Sequence, residues 1–203
     1  MISIINYGLG NLGSIRNMFK KIGYESRIVE SPEELESATK IILPGVGAFD
    51  TGMKNLQDGK WIDSLNRRVL IDKVPVLGIC LGMQLMCRKS EEGKMQGLSW
   101  IDADAKKFKF EDKSLKIPHM GWNECVAKKE SNLIDNDFNE RRFYFVHSYY
   151  VDTDLPTDVL FETQYGGKFT SAFEKDNIIG MQFHPEKSHK FGLSILKNFA
   201  EKY

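Results

Sequence analysis

The sequence predicts one α/β domain over residues 1–203, built on a doubly wound, mostly parallel sheet with antiparallel additions in its second half. Fully apolar runs in the first half alternate with segments of helical periodicity, which is the pattern of buried parallel strands joined by helices. In the second half, shorter strand-like segments are separated by polar turns, which is typical of antiparallel pairing.

In the first half, strands are expected at 2–6, 25–29, 41–43 and 74–79. The helix after the first strand has apolar residues at spacings of three and four, and Gly23 is placed to end it. Ser31 and Pro32 suit the N-cap and first position of a second helix, with Glu34 in the capping-box position. A further helix is expected from Met83 onward.

In the second half, the expected strands are 108–110, 124–127, 143–151, 159–165, 169–173 and 178–183. The last of these is one more apolar strand. A final helix follows it, and the apolar residues on one face of that helix are Phe191, Ile195, Leu196 and Phe199.

The charge, the apolar runs and the cysteines of the sequence exclude several classes of protein. Lys plus Arg and Asp plus Glu both number 28, so a net charge of zero gives no electrostatic case for nucleic acid or membrane binding. No apolar run reaches 18 residues, and the N-terminus lacks the features of a signal peptide. The three cysteines form no C-x-x-C pair, which favours reduced thiols and a cytoplasmic location.

The segment 78–82, Gly-Ile-Cys-Leu-Gly, has the pattern of a nucleophile elbow with Cys80 in the nucleophile position. Glycines on both sides permit a sharp strand-to-helix turn, where larger side chains would clash. The N-terminus of the following helix would favour the thiolate form of Cys80. A buried, unreactive cysteine is the competing interpretation.

A base for this thiol is found after the last apolar strand, where His184 and Glu186 occur in the sequence Phe-His-Pro-Glu. His184 would lie at the same carboxyl edge of the sheet as Cys80, where α/β proteins place their sites. It could take the thiol proton and return it to a leaving amine, while Glu186 fixes the imidazole tautomer. An ordinary surface turn is the alternative.

The glycine-rich loop Pro44-Gly45-Val46-Gly47 follows a third strand at that edge. Its backbone N–H groups could stabilise an oxyanion, although a plain tight turn explains the same glycines.

These stretches resemble the class I, or triad, glutamine amidotransferases, and more narrowly the glutaminase subunits of imidazole glycerol phosphate synthase. The resemblance covers nearly the whole chain. The motifs that carry it are NYGLGN at 6–11, LPGVGAF at 43–49, PVLGICLGMQLM at 75–86, IPHMGWN at 117–123, YFVHSYY at 144–150 and MQFHPEKS at 181–188.

The resemblance implies a flavodoxin-like fold and hydrolysis of L-glutamine to glutamate and ammonia through a Cys80-His184-Glu186 triad, with no metal or organic cofactor. It also implies a set of residues for the oxyanion and substrate. These are Gly45, Val46, Gly47, Leu81, Gln84, Glu92, His147, Ser148 and Tyr149.

The same resemblance implies a heterodimer with a (β/α)₈-barrel synthase, which takes the ammonia through a channel for histidine biosynthesis. Ammonia released into water would be protonated, so a route that excludes water is useful. Trp and Met are common residue types at protein interfaces. The residues expected at the interface and ammonia exit are Asn11, His119, Met120, Trp122, Tyr144 and Lys187.

Alternatives of other classes remain at this stage. Gly8, Gly10 and Gly13 complete a G-x-G-x-x-G pattern between a strand and a helix, with Glu30 after the next strand, which could indicate dinucleotide binding. A metal site is a less favoured alternative, because the four histidines do not have the spacing of metal ligands. A scaffold protein without catalytic turnover would leave the triad residues unexplained. The segment 97–103 departs from the histidine-branch pattern, which leaves open a paralogue that supplies ammonia to a sugar amidotransferase in surface-polysaccharide synthesis.

Overall fold

The structure is a computed structural model that describes residues 1–134, 138 and 140–203. The strands are β1 Ile2–Ile5, β2 Ser26–Val29, β3 Lys40–Leu43, β4 Val76–Ile79, β5 Ala103–Lys107, β6 His119–Glu124, β7 Val126–Ala127, β8 Arg142–His147, β9 Tyr149–Thr153, β10 Val159–Gln164, β11 Lys168–Lys175 and β12 Ile178–Met181. The α-helices are α1 Leu12–Lys21, α2 Phe49–Asp58, α3 Trp61–Asn66, α4 Leu81–Leu85 and α5 His189–Lys202.

Ten of these strands form the main sheet, whose path runs β2-β1-β3-β4-β12-β11-β10-β7, with β9 against β11 and β5 against β9. The five strands from β2 to β12 along this path are parallel. The strands beyond β12 pair antiparallel. β6 and β8 form a separate two-stranded ribbon. The predicted fold class is therefore confirmed.

Apolar residues on the two faces of the sheet enter different halves of the core, because successive side chains of a strand alternate. Ile4 joins the half that contains Phe19 of α1 and Phe199 of α5. Ile5 joins the half that contains Phe49 of α2 and Trp61 of α3. Helices on both faces explain why β1 and β4 are buried along their whole length.

The helix after Cys80 differs from the expected one, since α4 begins at Leu81 rather than Met83 and ends at Leu85. The carbonyl groups that a longer helix would use internally accept N–H groups from the segment 97–100 instead. Leu98 donates to Leu85, Trp100 to Met86, and Ser99 to Cys87. Tertiary hydrogen bonds thus stop the helix after five residues.

Three predicted strands in the second half are placed differently. The strand expected at 124–127 divides at Cys125 between the end of β6, which pairs with β8, and β7, which pairs with β10. The strand expected at 108–110 lies at 103–107, because β5 loses its partner β9 where that strand begins at Tyr149. The strand expected at 143–151 divides at Ser148 into β8, which pairs with β6, and β9, which pairs with β5. The segment after Ser31 is a 3₁₀ helix, Pro32–Ser37, without a side-chain cap from Ser31.

The central strand β4 lies between β3 and β12, and all three are parallel. Their carboxyl ends therefore meet at one edge, which brings together the loop 44–47, Cys80 and the segment 182–186. The close approach requires glycine: a Cβ on Gly82 would lie 1.8 Å from the carbonyl oxygen of Leu43. Real Cβ atoms essentially never come that near to another heavy atom.

Gly82→Ala is expected to lower the free energy of unfolding by about 3 kcal/mol, because backbone on both sides must shift. Gly13→Ala is the matched control, since a Cβ there meets no atom within 4 Å. Alanine in helix α1 should leave stability unchanged or raise it by about 0.5–1 kcal/mol. Urea denaturation of both variants measures the difference, and equal stabilities would contradict the packing constraint.

Candidate active site

Cys80 lies at the turn between β4 and α4, in the strained backbone conformation φ 53°, ψ −108°. Its N–H donates to the carbonyl of Met181 on β12 at 2.8 Å, and its carbonyl accepts the N–H of Gln84 at 3.3 Å. A positive φ is uncommon for a residue with a side chain, and it is typical of a nucleophile elbow. The strain is held by strands on both sides of β4.

His184 and Glu186 form a buried pair in the segment after β12. Nδ1 of His184 lies 2.9 Å from Oε1 of Glu186, and both side chains are only 2% exposed. Ribbon strand β8 fixes the segment from the other side. The N–H of His184 donates to the Tyr144 carbonyl, and the Tyr144 N–H donates to Oγ of Ser188. The predicted orienting contact between Glu186 and the imidazole is therefore formed.

The pKa of His184 is set by opposing effects. Burial lowers it, but the nearby Cys80 sulfur and the Glu186 carboxylate favour the charged imidazole and raise the pKa to about 10. Among the described residues, Nε2 of His184 has no hydrogen-bond partner. The raised pKa keeps the imidazole of His184 protonated near pH 7, as a proton donor to a leaving amine requires.

The loop 44–47 is held against the elbow by Tyr7, whose buried hydroxyl donates to the carbonyl of Pro44 at 2.6 Å. The Leu81 N–H, which follows the nucleophile, donates to the carbonyl of Gly45 at 3.3 Å. This N–H is in the position of an oxyanion donor, but here the Gly45 carbonyl occupies it. A rearrangement of the loop would free it.

A cavity of about 400 Å³ opens over Cys80 and His184. Of the residues predicted to bind the oxyanion and substrate, all except the buried Gly45 line it. The complete lining is Val46, Gly47, Cys80, Leu81, Gln84, Glu92, Pro118, Val146, His147, Ser148, Tyr149 and His184.

The polar residues of the cavity are already partly engaged. Oε2 of Glu92 accepts the N–H of Phe49, the first residue of α2, at 2.8 Å. Gln84 donates from Nε2 to the Tyr149 carbonyl at 3.1 Å and to Oε1 of Gln182 at 2.9 Å. Both amide hydrogens of Gln84 are thus used within the protein.

The residues predicted to face a partner lie mainly on the outer face of the β6–β8 ribbon and the turn beside it. Met120 is 61% exposed and Trp122 is 41% exposed. The Trp122 ring makes an edge contact with Tyr144, and the Nζ of Lys187 lies 5.7 Å from the Tyr144 ring centroid. Asn11 is exposed at the start of α1.

His119 differs from that group, because it is buried on the inner face of the ribbon. Its Nδ1 lies 2.8 Å from Nε2 of His147, and Nδ1 of His147 lies 2.7 Å from the Tyr149 carbonyl. Burial lowers the pKa of His119 to about 4 and that of His147 to about 3. Both rings are therefore neutral near pH 7. His119 thus supports His147, which lines the cavity.

Four residues of the site were missed by sequence reasoning. Two of them, Pro118 and Val146, line the cavity. Tyr7 supports the loop 44–47, and Gln182 donates from Nε2 to the Cys80 sulfur at 3.6 Å. Gly10, the second glycine of the G-x-G-x-x-G pattern, has a packing role, because a Cβ there would lie 2.9 Å from the Pro44 side chain. It lets the loop after β1 approach the loop after β3.

Comparison with known proteins identifies the family. Residues 3–203 match the model for "Glutamine amidotransferase class-I". The chain belongs to the class I glutamine amidotransferase family.

Within that family, full-length relatives are subunits of imidazole glycerol phosphate synthase. "Imidazole glycerol phosphate synthase subunit HisH 2" of Methanococcus maripaludis is 53% identical, with 99% of each chain covered. The subunit of the same name from Pseudomonas aeruginosa is 48% identical, again with 99% of each chain covered. The HisH subunit of Leptospira interrogans is 46% identical over 98% of this chain and 99% of its own.

Solved structures at lower identity share the fold. A glutamine amidotransferase crystal structure superposes with a TM-score of 0.77 at 17% identity, covering 98% of this chain and 97% of its own. A second glutamine amidotransferase, from Thermotoga maritima, gives a TM-score of 0.71 at 15% identity, covering 99% of this chain and 96% of its own. Within the described ranges, no helix is long and apolar enough to cross a membrane.

The raised pKa of His184 predicts a pH dependence of stability. A group whose pKa rises on folding, here from 6.5 to about 10, stabilises the fold fully below pH 6.5 and loses that contribution as pH rises through 10. The stability advantage of the wild type over His184→Gln should therefore shrink between pH 6.5 and 10. Urea titrations across this range measure it, and a widening difference would contradict the assignment.

Proposed function

We propose that residues 1–203 act as one glutaminase domain, which hydrolyses L-glutamine and delivers the ammonia to a (β/α)₈-barrel synthase subunit in the cytoplasm. The observation that carries this proposal is the strained Cys80 turn, which faces a buried His184–Glu186 pair across one cavity. The full-length similarity to imidazole glycerol phosphate synthase subunits supports histidine biosynthesis as the pathway.

In the proposed reaction, the Cys80 thiolate attacks the side-chain amide carbon of glutamine and forms a tetrahedral oxyanion. The oxyanion collapses, the carbon–nitrogen bond breaks, and the nitrogen takes a proton from His184 to leave as ammonia. The γ-glutamyl thioester remains on Cys80. His184 then takes a proton from water, whose oxygen attacks the thioester, and the carbon–sulfur bond breaks to release glutamate and restore the thiolate.

Substrate would be held by the cavity lining. Glu92 is suited to the α-ammonium group of glutamine because its carboxylate lies at the cavity wall, fixed by the N–H of Phe49. Val46 and Gly47 line the same cavity, and their loop would stabilise the oxyanion. The segment 147–149 and Gln84 also line this cavity.

The outer face of the β6–β8 ribbon is the surface we propose for the barrel partner. It presents exposed Met120 and Trp122 beside Tyr144 and Lys187, close to the cavity residues Val146 and Pro118. Apolar and aromatic residues of this kind are enriched in interface cores. Ammonia formed at Cys80 would have a short path to such an interface.

The hydrogen bond from Leu81 to Gly45 supports slow turnover by the chain alone. It occupies an N–H group that the oxyanion would need, so the partner or its acceptor would have to favour a different arrangement of the loop 44–47. Steady-state glutamate release by the chain with and without partner and acceptor tests this expectation. Equal rates would count against it.

Cys80→Ala should reduce glutamate release in the partner complex by at least about a thousandfold, because the thioester cannot form. Cys87→Ala is the matched control: this thiol is buried, donates to the Met83 carbonyl and lies outside the cavity lining. Its activity should remain near that of the wild type. Retained turnover in Cys80→Ala would contradict the proposed nucleophile.

A second candidate acceptor is a nucleotide sugar for surface-polysaccharide synthesis, supported by the departure at 97–103. In the structure Asp102 pairs with Lys175 and Asp104 with Arg88, so these two charges stabilise the fold. Glutamate release should rise with the histidine-pathway acceptor and its synthase if our proposal holds. Stimulation confined to a sugar amidotransferase and its nucleotide-sugar substrate would favour the second candidate.

A further inference from the structure

Gln182 occupies a central position beneath the nucleophile. It is the residue after β12, is fully buried, and donates from Nε2 to the Cys80 sulfur at 3.6 Å. Its Oε1 accepts a hydrogen bond from Gln84 at 2.9 Å. A buried amide beside a reactive sulfur, with every contact on a neighbouring element, suggests a role in the chemistry as well as in packing.

Hydrogen bonds join the Tyr149 carbonyl, Gln84, Gln182 and the Cys80 sulfur in a series. A backbone group at one end fixes the direction of each of these bonds. The Tyr149 carbonyl can only accept, so Gln84 must present its Nε2 to it. The same Nε2 then donates to Gln182, which must present its oxygen to Gln84 and its nitrogen to the sulfur. A flipped Gln182 would set two NH₂ groups against each other and place its oxygen against the sulfur.

The Tyr149 carbonyl, where this series of hydrogen bonds begins, is itself held in place. The Tyr149 carbonyl also accepts Nδ1–H of His147, whose Nε2 then accepts from His119. This leaves Tyr149 no freedom to turn its carbonyl away from Gln84 without breaking two buried hydrogen bonds. Unmet hydrogen bonds of buried groups are costly, so the arrangement is held firmly.

We propose that Gln182 is a positioning residue for the nucleophile: its amide N–H holds the Cys80 sulfur and favours the thiolate, and Gln84 keeps the amide in the orientation that does so. An N–H donor stabilises a charged acceptor more than a neutral one, so the contact strengthens when Cys80 ionises. It would also hold the sulfur in place while the thioester forms and breaks. This inference rests on the proposed glutaminase chemistry.

The direct test is the pH profile of Cys80 alkylation by iodoacetamide in the full-length chain, resolved from Cys87 and Cys125 by peptide mass spectrometry. Gln182→Met keeps the size of the side chain but removes the donor. Its alkylation midpoint should move up by about one pH unit, roughly a tenfold loss of thiolate at fixed pH. In the partner complex, kcat for glutamate release should fall with little change in KM.

Gln84→Met tests the orienting step, because Gln182 would then be free to flip. Its midpoint should move in the same direction, and the double variant should match Gln182→Met alone. Other titratable groups around the sulfur, namely His184, Tyr7, Glu92 and His147, are unchanged in these variants. Ser171→Ala is the control for loosening of the core, since Ser171 is buried and its carbonyl accepts the Gln182 N–H. Its profile should match the wild type.

A Gln182→Met profile that coincides with the wild type would overturn the proposal, as would additive shifts in the double variant. Circular dichroism checks folding, and if Gln182→Met does not fold, the shift in Gln84→Met decides alone. Because alkylation needs no glutamine, the proposed role of Gln182 and the proposed glutaminase activity are tested independently. A wild-type complex that releases no glutamate contradicts the glutaminase, whereas an unshifted midpoint contradicts only the role of Gln182.

Discussion

The structure depends on the close approach of the β4–α4 turn to the end of β3. Gly82 lies against the Leu43 carbonyl with no room for a Cβ, and Gly45 is equally confined by Tyr7, Leu81 and Gly82. This contact allows Cys80 to keep a left-handed conformation at the bottom of the cavity. Parallel strands on both sides of β4 hold this turn in place, so the stability of the whole sheet offsets the conformational energy of the strained backbone.

Three strand ends supply different parts of the site. The end of β4 carries the sulfur, the end of β12 carries His184 and Glu186, and the end of β3 carries the glycine loop. The β6–β8 ribbon closes the cavity and joins it to an exposed aromatic surface. The same ribbon therefore contacts both the catalytic segment, through Tyr144, and the face proposed for a partner.

Much of this could be predicted because the signals are local. Apolar runs mark the buried strands, and the glycines around Cys80 and the sequence at 183–186 mark two of the strand ends. The length of α4 could not be predicted, since residues 97–100 determine it by binding its last carbonyls. Gln182 was missed for a similar reason: its contacts are to Gln84 and Cys80, about a hundred positions away. His119 was predicted for the interface and ammonia exit, and the alternation of β6 places it on the buried face of the ribbon.

The central claim is that Cys80 forms a covalent intermediate with the substrate carbonyl. Acid quenching of the partner complex during turnover of isotopically labelled glutamine, followed by peptide mapping, tests it most directly. The account predicts one labelled glutamyl group, in thioester linkage, on the peptide that contains Cys80. Turnover with no label on that peptide, or with label on Cys87 or Cys125, would contradict the account.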